Sequence, residues 1–423
     1  MKEDFLHYVW KYQKFSSEEL RTENGESITE MDVGRHNTNS GPDFFNVLLT
    51  IDNQVWAGNV EIHSNSSDWY VHHHERDSAY DTVILHVVWV FDAEVFRKNN
   101  TTIPTLVLKP IVPEGILSRY YNLFSKKQKW IPCENEFSMQ DDFMLNNWLE
   151  RLFLERLEHK TFQIDLELKS SNNHWEALLF KLLCKNFGLK VNGDSFLSVA
   201  QSFDFSILQK CQQSLDNMES LLMGQAGLLD SNKADVYYKS LQKKYDYLRH
   251  KFGLNNANVI ASNYFRLRPV NFPTIRLSQL ATLYTTKKRL FSEIISLNEL
   301  EDYYLFFKVG ASSYWDNHFN FGVSTVQRRK VLSKKFVDLL LINTIIPLKF
   351  CYAEKMGEDV SEELIQLASQ IPREENSIVK KFNDLRPIAF FAYQSQAVLE
   401  LKTNYCDKRR CLDCAIGNAI LKG

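Results

Sequence analysis

The sequence predicts an α+β or α/β fold, a mixed helix–strand region at the N-terminus followed by a mostly α-helical domain. Three observations carry this reading. Thr82 to Phe91 (TVILHVVWVF) is a nearly unbroken β-branched and aromatic run, the pattern of a strand covered on both faces. Phe44 to Ile51 and Val55 to His63 are strand-like runs joined by the tight polar turn Asp52-Asn53-Gln54. From about Asp141 onward apolar residues recur at helical spacing, with only 15 Gly and 10 Pro in the whole chain to interrupt them.

Taken in order, Phe5, Val9, Tyr12 and Phe15 give a first helical face. Leu20 to Asp32 reads as a hairpin turning at Asn24-Gly25. The strand pair 44–63 follows, then a polar, His-rich stretch from Tyr70 to Asp81 expected as a loop and short helix, then the strand 82–91. Residues 1–110 are expected to form this α/β domain. Residues 111–140 read as a connector with Pro113, Pro132 and the basic cluster Lys126, Lys127 and Lys129. Residues 141–423 form the helical part and end in a Cys cluster. Helices are expected around Trp148–Leu157, Trp175–Leu182, Val236–Phe252, Leu277–Tyr284, Glu293–Phe307 and Gln327–Ile346.

Hydrophobic residues at 44% and charged residues at 24% exclude collagen-like and fully disordered chains. The formal charge of −2 excludes a surface coated in positive charge for bulk nucleic-acid binding. That total conceals an asymmetry: residues 1–136 carry 13 Lys+Arg against 20 Asp+Glu, a balance of −7, and the remainder carries +5. Met1 to Trp10 contains Lys2, Glu3, Asp4 and His7, unlike a signal peptide. The longest apolar run, Phe336 to Leu348, holds Asp338 and Asn343 and is short for a bilayer span. A cytoplasmic protein without membrane contact, its seven cysteines reduced, is the expectation; the sequence leaves the oligomeric state open.

Candidate chemistry concentrates between residues 40 and 86. Asp43 in Ser40-Gly41-Pro42-Asp43-Phe44 opens one strand, and Glu61 in Gly58-Asn59-Val60-Glu61-Ile62-His63 lies near the end of its partner. Two acids converging at a sheet edge suit a divalent cation, Mg²⁺ or Mn²⁺. His63 shares the face of Glu61 by strand alternation, placed to orient a water or act as a general base. His72 and His74, as His-x-His on an extended segment, present both imidazoles to one side. With His86 and Asp68 or Asp77 they have the chemistry of a zinc or manganese site, or could contact a phosphate.

Pro42-Asp43, the interval, Glu61-Ile62-His63, and then a helix and the strand Val83–Val90 resemble the αβββαβ core of the PD-(D/E)XK nuclease superfamily, the restriction-endonuclease-like fold. The resemblance implies metal-dependent phosphodiester hydrolysis of DNA or RNA with Asp43 and Glu61 as metal ligands, and an acid from the first helical region, Glu3, Glu18 or Glu19. His63 stands where that superfamily has Lys. The wider string, through Ser67-Asp68-Trp69, His72-x-His74, Asp77-x-x-Tyr80 and Val83 to Val87, also resembles a bacterial domain-of-unknown-function family, with a similarity expected to extend to the Cys-rich end.

That end, Cys406-x4-Cys411-x2-Cys414, places three thiols within nine residues, and Cys133 is the candidate for a fourth ligand. Zinc or a 4Fe-4S cluster would suit them. Some PD-(D/E)XK nucleases hold a four-iron cluster with one remote and three C-terminal cysteines, an analogous though differently spaced arrangement. Arg266, Arg268 and Arg276 lie beside Phe265 and Phe272, a mixture of charge and rings that suits single-stranded nucleic acid. The leading expectation is therefore a divalent-metal-dependent nuclease or phosphodiesterase with catalytic Asp43, Glu61 and His63. The alternatives are a catalytically degenerate nuclease-fold module that binds nucleic acid or protein, and a His/Cys metalloprotein of unrelated chemistry.

Overall fold

A computed structural model describes residues 1–125 and 129–422. Lys126 and Lys127 of the expected basic cluster lie outside the described residues. The chain divides into two units, one of residues 1–145 with 402–423 and one of residues 146–401. The last 22 residues, expected with the helical part, thus belong to the N-terminal unit.

The first unit begins with α1 (Glu3–Lys11), whose Glu3 and Asp4 complement the positive end of the helix dipole. Phe5, Leu6, Tyr8, Val9 and Trp10 are buried. Strands β1 (Ile28–Asp32), β2 (Arg35–His36), β3 (Phe44–Ile51), β4 (Gln54–Asn65), β5 (Val83–Val90) and β6 (Thr105–Val107) form one sheet in the order β1-β3-β4-β5-β6, with β2 alongside β3. The β3–β4 hairpin turns through Asp52 and Asn53, both at positive φ (43° and 65°), the conformation that matches strand twist. The expected hairpin at residues 20–32 forms differently. Arg21 and Ser27 close a small turn around Gly25, and β1 pairs antiparallel with β3 instead. Ile28 is paired on both sides: its N–H donates to the Leu20 carbonyl at 2.8 Å, and it lies opposite Ile51 in β3.

Strand β5 is buried along six consecutive residues, as its unbroken apolar run requires. It runs parallel to β4, so the chain must cross over between them. The crossover consists of the short helix α2 (Asp68–Val71) and two single 3-10 turns, packed beneath the buried Trp69. Two register shifts fall beside the candidate acids: one in β3 between Phe44 and Val47, with Asn46 at φ 58°, and one between Asn59 and Val60. Bulges re-aim the side chains next to them. Gly58 is fixed by contact: a Cβ there would lie 2.4 Å from Ile84 Cγ2 and 2.6 Å from the Thr82 carbonyl.

The second unit is helical. Its elements include most of α4 (Asp142–Ser170), α5 (Trp175–Phe187), α6 (Leu189–Gln201), and the helix Val236–Phe252, capped by Asp235 and by Gly253 at φ 62°. The expected helix 293–307 is two, Leu290–Ser296 and Leu300–Phe306. The expected helix 327–346 starts later, at Lys334, and continues through a π-helical turn to Met356. At 23 residues Lys334–Met356 is long and apolar enough to cross a membrane, longer than its apolar run suggested. Its most apolar stretch is 72% buried within the structure, as a core helix is.

Gly58→Ala should destabilise the first unit by about 1–3 kcal/mol through overpacking between β4 and β5. Gly115→Ala, whose Cβ would meet only the flexible Arg119 side chain, should be neutral or stabilising. Chemical denaturation midpoints check both; equal midpoints for the two variants would contradict the packing at Gly58.

Candidate metal centre

Asp43 ends a loop that its own sequence braces. The Asn37 side-chain amide donates to the carbonyls of Asn39, Ser40 and Pro42 at 3.1, 3.2 and 3.0 Å, while Gly41 supplies φ 96°. Asp43 therefore enters β3 from a fixed position. Its backbone N–H donates to Glu61 Oε2 at 3.1 Å, and Ile62 N–H donates to Asp43 Oδ2 at 2.9 Å. The two carboxylates converge, as their strand positions predict. The residue of α1 that reaches them is His7, whose Nε2 lies 3.2 Å from Asp43 Oδ2. Among the acids expected from the first helical region, Glu3 lies on α1, whereas Glu18 and Glu19 follow its end at Lys11.

The other Glu61 oxygen faces imidazoles. Oε1 lies 3.2 Å from His74 Nε2 and 3.5 Å from His63 Nε2, and His63 Nε2 lies 3.1 Å from His72 Nδ1. Ligand atoms of His63, His72 and His74 all fall within 4.8 Å of one another. His72 and His74 arrive by a route different from an extended segment. His72 ends α2, His73 turns the chain at φ 60°, and His74 starts a 3-10 turn. His86 stands behind His63, its Nε2 2.8 Å from His63 Nδ1. With the His63 proton on Nδ1, donated to His86, the lone pair of Nε2 is free to point at Glu61 and His72. His86 is thus a supporting residue, of the kind that orients a metal-binding histidine.

Asp68 and Asp77, expected near a metal, instead accept from the backbone N–H groups of Asn65 and Ala79 at 2.9 Å each. They shape the crossover. Tyr80 stacks on His74 with ring centres 3.7 Å apart, and Trp69 packs against His74 and His86.

The charge balance of this cluster is unusual. Burial, and then the charge of Asp43, push Glu61 well above the usual carboxylate range. Burial, with His74 and His72 beside it, pushes His63 down to about 3. Burial also lowers His74 and takes His86 well below its ordinary value. A buried carboxyl thus stands beside two imidazoles, His63 and His74, whose charged forms burial disfavours. His74 Nε2 is buried and makes no hydrogen bond of acceptable geometry, although Glu61 is close. Burial lowers His7 too, but its hydrogen bond to Asp43 and the charge of Asp43 outweigh that, and its net shift is upward.

The donor set fits a divalent cation. Tetrahedral ligands at about 2.0–2.1 Å from a metal stand roughly 3.3–3.4 Å from each other. Three contacts in the group, at 3.1, 3.2 and 3.5 Å, lie near that edge, and the ligand atoms of His63, His72 and His74 are all within 4.8 Å of one another. Three imidazoles with one carboxylate suit Zn²⁺ or Mn²⁺ better than Mg²⁺, which prefers oxygen ligands. His7 and Asn37 carried no motif that would single them out in the sequence.

The remaining expected residues lie elsewhere. Arg266 and Arg268 are exposed, beside the exposed Phe265. Arg276 is buried: its guanidinium donates to Gln279 and Asn271 at 2.8 and 2.6 Å and covers the Phe336 ring at 3.6 Å. Residues 3–377 match the model of a family described as "Protein of unknown function (DUF2851)". The match stops short of Cys406, so the expected extension of the similarity to the Cys-rich end is not found. No curated protein and no solved structure matches the chain.

Without metal, His63, His74 and His86 stay neutral when folded and regain their ordinary value of 6.5 when unfolded. Their folded values are depressed, so unfolding takes up protons below pH 6.5, and stability is lost as pH falls. Glu61 and His7 are shifted upward and oppose this: Glu61, pushed up to about 9, stays protonated when folded and ionises when unfolded through neutral pH, so the histidines prevail only below about pH 6. The thermal midpoint of chelator-treated protein should therefore fall between roughly pH 6 and about 4.5, less steeply in His63→Gln. A midpoint that rises on acidification over that range would contradict the neutral imidazole cluster.

Proposed function

We propose that this chain, which belongs to the DUF2851 family, is a divalent-metal-dependent phosphodiesterase that hydrolyses DNA or RNA. One observation carries the reading: Glu61 shares an edge with Asp43 on one side and with His63, His72 and His74 on the other. A divalent cation in such a group supplies Lewis-acid stabilisation of charge developing on a phosphate and activates a water for attack.

The chain's own residues divide the remaining work. Glu61 anchors the cation through Oε1, while the Asp43 backbone holds Oε2. His63 serves as a neutral ligand oriented by His86. It cannot replace the positive charge of the Lys found at this position in PD-(D/E)XK nucleases, because burial keeps it unprotonated. His7, favoured in its charged form by Asp43, can supply that charge from α1 instead. The sheet order β1-β3-β4-β5-β6, with β4 and β5 parallel, supports the same comparison. In the second unit, exposed Arg266 and Arg268 beside Phe265, 72% exposed, suit a single-stranded polyanion.

The missing Lys also favours a second reading, a nuclease-derived module that binds nucleic acid without cleaving it. Cleavage assays on single- and double-stranded DNA and RNA with Mn²⁺, Zn²⁺ or Mg²⁺ separate the two. Wild type should cleave at least one substrate, best with Mn²⁺ or Zn²⁺, and Glu61→Gln should abolish it. His86→Gln should lower metal affinity or activity about 10–100-fold. Equal cleavage by wild type and Glu61→Gln would sink the catalytic reading. Metal-independent binding without cleavage would select the second.

A further inference from the structure

Among the described residues, the metal-sized grouping of ligand side chains is that of His63, His72 and His74. Cys133, Cys411 and Cys414 are buried and Cys406 is half-buried, outside that grouping. The second unit holds a feature of another kind, a cavity of about 420 Å³ lined by rings and a cation. Its shape depends on a segment without regular structure, residues 254–268. Polar residues on one face of α6 hold that segment in place. Asn192 donates to the Asn263 carbonyl at 2.8 Å and accepts from its N–H at 2.7 Å. The Ser195 hydroxyl donates to the Ile260 carbonyl at 2.7 Å, and Ile260 N–H donates to Ser198 at 2.9 Å. Positions 192, 195 and 198 recur at three-residue spacing, so the helix presents them together. Pinned there, the segment brings Tyr264 to the cavity and leaves Phe265 72% exposed. Arg266, at φ 61°, turns back over the Phe265 ring.

Phe272 forms a further wall. It precedes Pro273, the first residue of the helix Pro273–Thr286, which confines its backbone to the extended region. Its ring meets that of Tyr264 edge-on at 5.1 Å. Phe321 also lines the cavity, and Lys233 Nζ lies 5.6 Å from its ring centre. The Thr274 hydroxyl donates to the Phe319 carbonyl at 2.7 Å, fixing the strand His318–Asn320 and with it Asn320 in the lining. Among the described residues, Lys233, Arg266 and Arg268 form no ion pair and the Asn320 side-chain amide makes no hydrogen bond. Asp235, the acid nearest Lys233 in sequence, is occupied by Tyr238 N–H and the Tyr314 hydroxyl at 2.7 and 2.9 Å.

We propose that this cavity takes one nucleotide of a single-stranded nucleic acid. The inference rests on the reading of the chain as a protein that acts on nucleic acid, and adds the place where a strand is held. Every base has a π-face, and Tyr264, Phe272 and Phe321 offer rings to it without regard to base identity. The volume lies within the range of about 300–1,000 Å³ found for small-molecule sites. Lys233 supplies a flexible point charge for the phosphate, and Asn320 a donor and an acceptor for the base edge. Outside the cavity Phe265, Arg266 and Arg268 continue the same chemistry, so that neighbouring nucleotides meet a ring and two more cations. A duplex keeps its bases inside the stack and has none to offer.

Fluorescence anisotropy of short labelled RNA and DNA strands with the full chain, in EDTA so that nothing is cut, tests the inference. Wild type should bind at least one single strand, and more tightly than the matching duplex. Phe272→Ala should weaken binding about 5–150-fold, the loss of one stacked base. Lys233→Gln, at an exposed position, should reduce the slope of log affinity against log salt by about 0.7, one phosphate contact. Lys380→Gln, exposed on the helix Ser377–Leu385, should leave affinity and slope as they are. Because Phe272→Ala could fail to fold, the wild type supplies an independent reading: a strand carrying 5-iodouracil should crosslink under ultraviolet light to Tyr264, Phe272 or Phe321, as mapped by mass spectrometry. Wild-type affinity in both Phe272→Ala and Lys233→Gln, or crosslinks confined to other residues, would overturn the inference. So would equal losses in Lys233→Gln and Lys380→Gln, the mark of bulk charge alone, and so would a wild type that binds no strand. Strand binding with the expected losses, but no cleavage once metal is restored, would uphold this inference and defeat only the catalytic reading. Cleavage abolished by Glu61→Gln, with binding unchanged in Phe272→Ala and Lys233→Gln, would do the reverse.

Discussion

The first unit is organised around the burial of Glu61, 5% exposed, against the imidazoles of His63 and His74. A carboxylate removed from water without a compensating cation is costly, and the usual escape is to stay protonated. Nearly every irregularity nearby converges on that side chain. The bulge in β3 and the loop braced by Asn37 bring the Asp43 N–H to one oxygen. The left-handed His73 and the short crossover bring His74 to the other. A protein gains nothing in stability from placing three histidines around a buried acid. His63, His72 and His74 are grouped closely enough to hold a metal ion.

The parallel pairing of β4 and β5 is what permits this concentration. Register sets Glu61 opposite His86 and leaves His63 two residues further along, on the same face. An antiparallel return would have closed through a tight turn and left no room for the segment that supplies His72 and His74. The crossover is short, but it contains Trp69 and Tyr80, which wall the cluster from one side.

Much of this was legible in the residues. Period-two runs and the Asp52-Asn53 turn marked β3 and β4, and the unbroken run at 82–91 marked a strand buried on both faces. Alternation along β4 also put Glu61 and His63 together. Other features depended on tertiary contact. The pairing of β1 with β3, beyond the short turn that joins Leu20 to Ile28, brings together distant segments and is encoded in no local pattern. The helix at 334–356 outruns its apolar stretch because caps set its ends: the Ser333 side chain accepts from Phe336 N–H, and Gly357 turns the chain at φ 74°. The role of His7 was invisible because a lone histidine on a helix otherwise used for packing has no spacing signal. Arg276 differs from its aromatic and basic sequence neighbours in being buried: its guanidinium donates to Gln279 and Asn271 and covers the Phe336 ring, while its Nε has no partner among the described residues.

The most direct test is to locate the cation. Crystals of the full chain soaked in Mn²⁺ should show one anomalous peak about 2.0–2.3 Å from Glu61 Oε1 and from nitrogens of His63 and His74, with His72 or Asp43 completing the site. No peak within bonding distance of Glu61, with the His63–His86 contact intact, would contradict the account.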